Sequence, residues 1–154
     1  MKSSIYLLLP LFLFTIIFAS PLLSQNRPNI LIIIADDMGT DAFGAYNIGT
    51  DLPNTPNLDG LLNQGILFNN AYAYGTCAPS RASLITGRYG NKNGIMQSGP
   101  NMNNSEVTLF EHISSITNDA YAKAAFGKWH LGNANHPNNN GVDHYNGNLF
   151  SGVD

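Results

Sequence analysis

The chain has 154 residues, of which 44% are hydrophobic and 11% are charged, and its formal net charge is -3. This composition argues against an intrinsically disordered chain, because such chains combine low hydrophobicity with high net charge. The Lys and Arg residues are scattered and outnumbered by Asp and Glu, so the sequence offers no basic patch for a phosphate backbone. Nucleic acid is therefore not an expected partner.

The N-terminus has the pattern of an export signal. Lys2 precedes an apolar run over residues 5–18, and small residues follow it. The run is shorter than the roughly 20 residues that a membrane-spanning helix needs, and a basic start with a short apolar core is typical of a signal peptide. We expect residues 1–24 to be removed on export to the periplasm or the medium, with no stable membrane insertion. Residues 25–154 are then one segment of a single domain.

The first elements of this segment alternate between strand and helix. Residues 29–35 are apolar from Ile30 to Ala35 and rich in β-branched isoleucine, which predicts a strand buried on both faces of a parallel sheet. Residues 55–64 predict a helix that Thr55 caps, with Pro56 at its first position. Residues 66–68 predict a short strand.

The second half repeats this alternation. A helix is expected to follow Cys77, with Pro79 in its first turn. Residues 90–105 predict a loop, and a helix capped by Ser105 follows to about Ile116. Residues 121–126 predict the last strand, and the tail from residue 136 predicts a loop. The order of elements indicates an α/β layered fold with a mainly parallel sheet.

Two neighbouring carboxylates, Asp36 and Asp37, come directly after the first predicted strand. Like charges at close range raise each other's pKa, and a hard divalent cation such as Ca²⁺ or Mg²⁺ would neutralise them. A solvated turn in which one Asp caps a helix explains the pair equally well. Two carboxylates also fall short of a complete ligand set.

Cys77 is the only cysteine of the chain, so no disulfide forms within it. Such a cysteine is buried and inert, paired with another chain, or chemically special. Its place just before a helix favours an anion, because free N–H groups and the helix dipole lie there. Arg81, four residues on, lies on the same helix face, and its planar guanidinium suits a tetrahedral oxyanion.

Lys128 and His130 follow the last predicted strand. Residues two apart at a strand end face the same side, so both are expected on one side and Trp129 on the other. In α/β folds ligands bind beyond the carboxyl ends of strands, where Asp36 and Asp37 also lie. The ordinary interpretation of a Lys and a His at such a position is that both are solvated. A structural or solvated role is the expectation for the other three histidines: His112, His136 and His144.

The motif Cys-Ala-Pro-Ser-Arg at 77–81, followed by Ala-Ser-Leu-Ile-Thr-Gly-Arg-Tyr at 82–89, resembles the signature of the formylglycine-dependent sulfatases of the alkaline phosphatase superfamily. Other segments resemble the same family in the same order, and together they extend from about residue 27 to residue 147. They are residues 28–30 running into 36–37, residues 55–59, residues 65–72 and residues 127–132.

The resemblance implies an alkaline-phosphatase-like fold and a sulfuric ester hydrolase. It implies that a formylglycine-generating enzyme oxidises Cys77 to an aldehyde, whose hydrate attacks the sulfur of a sulfate ester beside a metal ion. Asp36, Asp37 and modified Cys77 would bind the metal, Ca²⁺ or alternatively Mg²⁺. Arg81 would stabilise negative charge, Lys128 would bind sulfate oxygens, and His130 would take a proton from the second hydroxyl.

Family members are several times longer and supply further metal ligands, a second His and a second Lys from downstream. We therefore expect this chain to be an incomplete N-terminal part of a catalytic domain that acts on a sulfated small molecule or glycan. Two alternatives stay open. One is a phosphonate or phosphodiester hydrolase of the same superfamily, and the other is an inactive truncated product.

Overall fold

The computed structural model describes residues 27–150, so the predicted signal peptide lies outside the described residues. The chain divides into two compact units, Met1–Ile34 and Ala35–Asp154. In the first unit, residues 27–34 form neither helix nor strand, and the side chains from Ile30 to Ile34 are exposed. The predicted strand over residues 29–35 is therefore wrong for this structure. A strand needs a hydrogen-bonded partner, and no described residue pairs with this run.

The second unit begins with short elements. Two 3₁₀ turns cover Thr40–Ala42 and Gly44–Tyr46, and helix α1 covers Pro56–Leu62. Pro56 occupies the start of α1 as predicted, because its missing N–H has no helical partner there. The predicted strand at 66–68 is absent, and Ile66 and Phe68 are exposed, since no described strand lies beside them.

Three helices follow. The helix predicted after Cys77 is α2, which covers Cys77–Thr86 and so includes Cys77 as its first residue, and the left-handed Gly87 ends it. Residues 90–105 are not a loop throughout, because helix α3 covers Gly90–Asn93. Helix α4 covers Leu109–Thr117.

The predicted start of α4 at Ser105 is wrong by three residues. Thr108 is the N-cap, and its hydroxyl accepts a hydrogen bond from the Glu111 N–H at 3.3 Å. The Glu111 carboxylate in turn accepts from the Thr108 N–H at 2.9 Å. This reciprocal pair is a capping box, and it satisfies two N–H groups that lack helical partners.

Strand β1, Ala124–Phe126, pairs in parallel with β2, His144–Asn146. Ala125 lies opposite Tyr145 in this two-stranded sheet. Helix α5, His136–Asn139, lies between the two strands in sequence, where the tail was expected to be loop. The parallel pairing with a helical connection agrees with the predicted α/β class.

The core of the second unit lies between α2, the segment after β1 and the turn before β2. Its buried apolar residues are Ala78, Ala82, Ile95, Met102, Trp129, Leu131 and Val142. Among residues 27–150, no helix is long and apolar enough to cross a membrane.

Candidate active site

Cys77 is the first residue of α2, so its side chain lies where the free N–H groups of the helix begin. Ser80 fixes the chain that enters the helix. Its hydroxyl donates to the Thr76 carbonyl at 2.9 Å and accepts from the Tyr74 N–H at 3.1 Å. Sequence reasoning gave Ser80 no role of its own. The sequence signal for this role is a serine in the first helical turn, because its hydroxyl can form hydrogen bonds with the backbone that precedes the helix.

The segment after β1 supplies the facing side of the site. Gly127 and His130 both have left-handed backbone, with φ of 83° and 58°. His130 Nδ1 lies 3.3 Å from Cys77 Sγ. The Trp129 side chain is buried in the core, while Lys128 and His130 face the Cys77 side.

Asp36, Arg81 and Lys128 form a charged cluster beside Cys77. Lys128 Nζ donates to Asp36 Oδ2 at 2.6 Å, and Arg81 Nη2 lies 3.3 Å from Asp36 Oδ1. Arg81 also donates to the Lys128 carbonyl at 2.5 Å, and the residue is only 8% exposed. Its buried Nε–H has no hydrogen-bond partner among the described residues. Arg81 thus ties the start of the chain's second unit to the segment that carries Lys128.

The cluster shifts three pKa values. The hydrogen bond from Lys128 lowers the pKa of Asp36, and Arg81 adds to this effect. The same bond raises the pKa of Lys128, with the neighbouring Cys77 acting in the same direction. Burial lowers the pKa of His130 first, and the positive charges of Lys128 and Arg81 lower it further. At neutral pH the site therefore contains a carboxylate, an ammonium and a neutral imidazole that can accept a proton.

Asp37 is not drawn into this cluster. It is exposed, with φ of 55°, and the structure records no hydrogen bond or ion pair between its carboxylate and another described residue. Within residues 27–150 there is no group of three His, Cys, Asp or Glu side chains that could hold a metal ion. Arg81 and Lys128 each engage an oxygen of Asp36. The described residues therefore do not form a complete site for a divalent cation.

Solved structures have a similar fold over most of this chain. A crystal structure of Ps i-CgsB in complex with a neocarrahexaose is 34% identical, with a TM-score of 0.72 over 83% of this chain and 29% of that protein. The structure of BT4656 in complex with its substrate, D-glucosamine-2-N,6-O-disulfate, is 35% identical, with a TM-score of 0.63 over 77% of this chain and 22% of that one. The expected alkaline-phosphatase-like α/β fold is confirmed.

Sequence comparison identifies the family. The sulfatase family model matches residues 28–151, and mouse (Mus musculus) arylsulfatase G is 41% identical over 133 residues, which are 81% of this chain and 24% of the relative. The chain belongs to the sulfatase family, which confirms the resemblance of its motifs. It spans about a quarter of the length of the curated relatives it matches.

Proposed function

We propose that the complete gene product is a sulfuric ester hydrolase, with its nucleophile at position 77. The observation that carries this proposal is the contact of 3.3 Å between Cys77 and His130 at the start of α2. Lys128 and Arg81 lie in the same cluster and supply positive charge for an anionic substrate. Membership of the sulfatase family selects sulfate among the possible anions.

The proposed substrate is a sulfated glycan or a sulfated small molecule. The structural relative BT4656 was solved with the disulfated sugar D-glucosamine-2-N,6-O-disulfate as its substrate. That ligand carries its negative charge on sulfate groups, which a Lys and an Arg can bind through charge-assisted hydrogen bonds. The family and this relative together support a sulfated sugar as the first substrate to test.

Maturation would convert Cys77 to formylglycine. A formylglycine-generating enzyme would remove two electrons and two protons from the carbon–sulfur unit, with dioxygen as the oxidant. Hydrolysis of the resulting thioaldehyde would release H₂S and leave the aldehyde. Cys77 is half-buried at a helix N-terminus and has no disulfide partner in the described chain, so its position suits a reactive group better than a packing role.

When formylglycine is present, its hydrate supplies one hydroxyl that attacks sulfur and a second that serves to expel sulfate. His130 would accept the proton of the second hydroxyl, because Nδ1 already faces the side chain at position 77. Lys128 donates a hydrogen bond to Asp36 in this structure, and it would bind the sulfate oxygens once substrate replaces Asp36 as its partner. Arg81 would hold Asp36 and the Lys128 backbone in place while its charge stabilises the anion.

Asp36, Asp37 and the modified Cys77 remain the proposed ligands of a divalent cation. Their hard oxygen atoms favour Ca²⁺, with Mg²⁺ as the alternative. Because two carboxylates are too few for either ion, further ligands would come from outside the described residues. We also propose that residues 1–24 are removed and that the protein is exported to the periplasm or the medium.

The proposal is tested on the complete gene product, produced together with a formylglycine-generating enzyme. We expect the peptide that contains Cys77 to lose one sulfur and two hydrogens and to gain one oxygen by mass spectrometry. We expect Cys77→Ala to lower turnover of an aryl sulfate by a factor on the order of 10³ or more, because a nucleophile is lost. The same mass spectrum shows whether residues 1–24 are absent from the exported protein.

Ser83→Ala is the matched control on the same helix. The Ser83 hydroxyl is buried without a hydrogen-bond partner among the described residues, so its loss should leave turnover unchanged. Fully active protein with an unmodified thiol at position 77 would rule out the formylglycine mechanism. An aryl phosphonate ester, assayed in parallel, tests the alternative of a phosphonate or phosphodiester hydrolase. Faster hydrolysis of the phosphonate than of the aryl sulfate would overturn the assignment to sulfate.

A further inference from the structure

His136, which the sequence placed in a polar loop, is buried beside the segment that carries Lys128 and His130. Only 5% of its surface is exposed, and Trp129 is 3% exposed. Trp129 Nε1 donates to His136 Nδ1 at 3.0 Å, and His136 Nε2 lies 2.7 Å from the Met102 carbonyl oxygen. Both ring nitrogens are therefore used within the protein.

These partners fix the tautomer of His136. The indole N–H can only donate and the Met102 carbonyl can only accept, so the proton is on Nε2 and the lone pair is on Nδ1. Asn140 Nδ2 also lies within 3.2 Å of Nδ1. The ring thus connects Met102, on one side, to the indole of Trp129, on the other, in one defined orientation.

The backbone after Trp129 closes around the same ring. A Cβ atom added at Gly132 would overlap the Cγ and Cδ2 atoms of His136, so no larger residue fits there. The Met102 N–H donates to the Leu131 carbonyl at 2.8 Å, and Leu131 is fully buried. His136 and its partner Met102 therefore fix both ends of the segment 129–132.

His130 lies inside this segment and has left-handed backbone, with φ of 58°. A non-glycine residue adopts that conformation at a free-energy cost, and it persists where the surrounding structure dictates it. The anchors at Trp129 and Leu131, on either side of His130, supply that constraint. The outcome is the placement of His130 Nδ1 against Cys77.

We propose that His136 is a positioning residue for the active site: through Trp129 and Gly132 it holds the turn that directs His130 at position 77. The proposal rests on the proposed function for its effect on turnover. Its structural part, the coupling of His136 to the Cys77–His130 contact, stands independently of any activity.

The first test measures this coupling in the complete gene product, produced without the maturation enzyme so that Cys77 stays a thiol. His136→Phe keeps an aromatic ring but removes both hydrogen bonds. We expect the indole N–H signal of Trp129, assigned with Trp129→Phe, to exchange with solvent about tenfold faster or more. We also expect alkylation of Cys77 by iodoacetamide to slow by about threefold or more, because the neighbouring base is displaced.

The second test measures turnover after maturation. A misplacement of about 1 Å at a reacting group can cost on the order of 100-fold in rate, so we expect His136→Phe to lower kcat by about 10- to 100-fold with little change in KM. His136→Gln, which retains one donor and one acceptor, should recover part of this loss.

Ile95→Ala is the matched control, because Ile95 lies in the same core without a hydrogen bond to residues 129–132. At a comparable loss of thermal stability it should leave the alkylation rate and kcat within about threefold of the parent protein. Equal effects of His136→Phe and Ile95→Ala on both rates would overturn the proposal. If the parent protein hydrolyses no sulfate ester, the proposed function fails, whereas indole exchange and alkylation still decide the role of His136.

Discussion

Residues 35–76 and residues 77–150 belong to the same compact unit but differ sharply in packing. Every buried residue of the described chain lies in the second region, and none lies in the first. The first region nevertheless has apolar residues at helical spacing in α1, where Leu58 and Leu61 are exposed. An apolar stripe shows which face of a helix can be buried, but burial needs a second surface that packs against this face. Without such packing, a helix of seven residues is only marginally stable.

The candidate site takes residues from both regions. Asp36 comes from the sparsely packed region, and Cys77, Arg81, Lys128 and His130 come from the well-packed one. The four residues of the packed region are held by helix α2 and by the anchored turn after β1. Asp36 is held by ion pairs alone, and its side chain is 33% exposed. The region that is packed thus supplies the fixed part of the site.

The largest expected effect contrasts two leucines in these regions. Leu131 is 0% exposed, so Leu131→Ala should lower the free energy of unfolding by about 2–5 kcal/mol, through lost burial and a cavity. Leu61 is 67% exposed, so Leu61→Ala should change it by less than about 0.5 kcal/mol. Urea unfolding of the complete gene product measures both.

A large loss for Leu61→Ala would break the contrast. It would show that the apolar face of α1 is covered in the complete protein by residues outside 27–150. A small loss for Leu131→Ala would instead show that the core of the second region does not hold the fold.

A smaller effect is expected at the capping box of α4. The Thr108 hydroxyl caps the helix and donates to the Asn140 carbonyl at 2.8 Å, in a residue that is almost fully buried. Thr108→Val keeps the shape but removes both bonds, which should cost about 1–2 kcal/mol in urea unfolding. Thr117→Val makes the same substitution at the other end of α4, and a cost as large as that of Thr108→Val would argue against a special role for the cap.

The sequence predicted best where the signal was local. A proline in the first turn predicts a helix directly after Cys77, and in the structure α2 begins at Cys77 itself. The Thr108-x-x-Glu111 pattern that begins α4 is equally local, but Ser105 offers a competing cap three residues earlier in the sequence. The parallel partner β2 was not predicted, because three residues carry too weak a pattern to stand out from a loop.

Sequence reasoning could also group the site residues but could not see how they are held. The family resemblance selected Asp36, Arg81, Lys128 and His130, and the structure brings all four to Cys77 or to its neighbours. The burial of His136 depends on Trp129 and on Met102, of which Met102 is distant in sequence. Such a role follows from tertiary packing and not from periodicity, so a histidine in a polar segment was expected to be structural or solvated.

The smallest expected effect concerns an ion pair at the surface of the packed region. The Asp143 carboxylate accepts from the Lys123 backbone N–H at 2.8 Å and lies 3.3 Å from Lys123 Nζ. The backbone hydrogen bond holds the pKa of Asp143 below its usual value, and the side-chain hydrogen bond and charge of Lys123 add to this. A carboxyl group whose pKa is lower in the folded state stabilises the fold above its unfolded pKa, and it loses that contribution as pH falls through the folded value. Because the Asp143 side chain is 44% exposed, the contribution should stay below about 1 kcal/mol.

Asp143→Asn should therefore lower the free energy of unfolding slightly at neutral pH, and its difference from the parent protein should shrink as the pH falls from about 5 to about 3. Urea unfolding across that range measures the difference, with Asp51→Asn as the control. Asp51 is exposed, and the structure records no ion pair between it and another described residue, so its substitution should leave the pH profile unchanged. A difference for Asp143→Asn that stays constant with pH would show that shape, and not charge, sets the contribution of this residue. Lys123 would then stabilise the junction of β1 and β2 through its backbone hydrogen bonds to Asp143 and His144 alone.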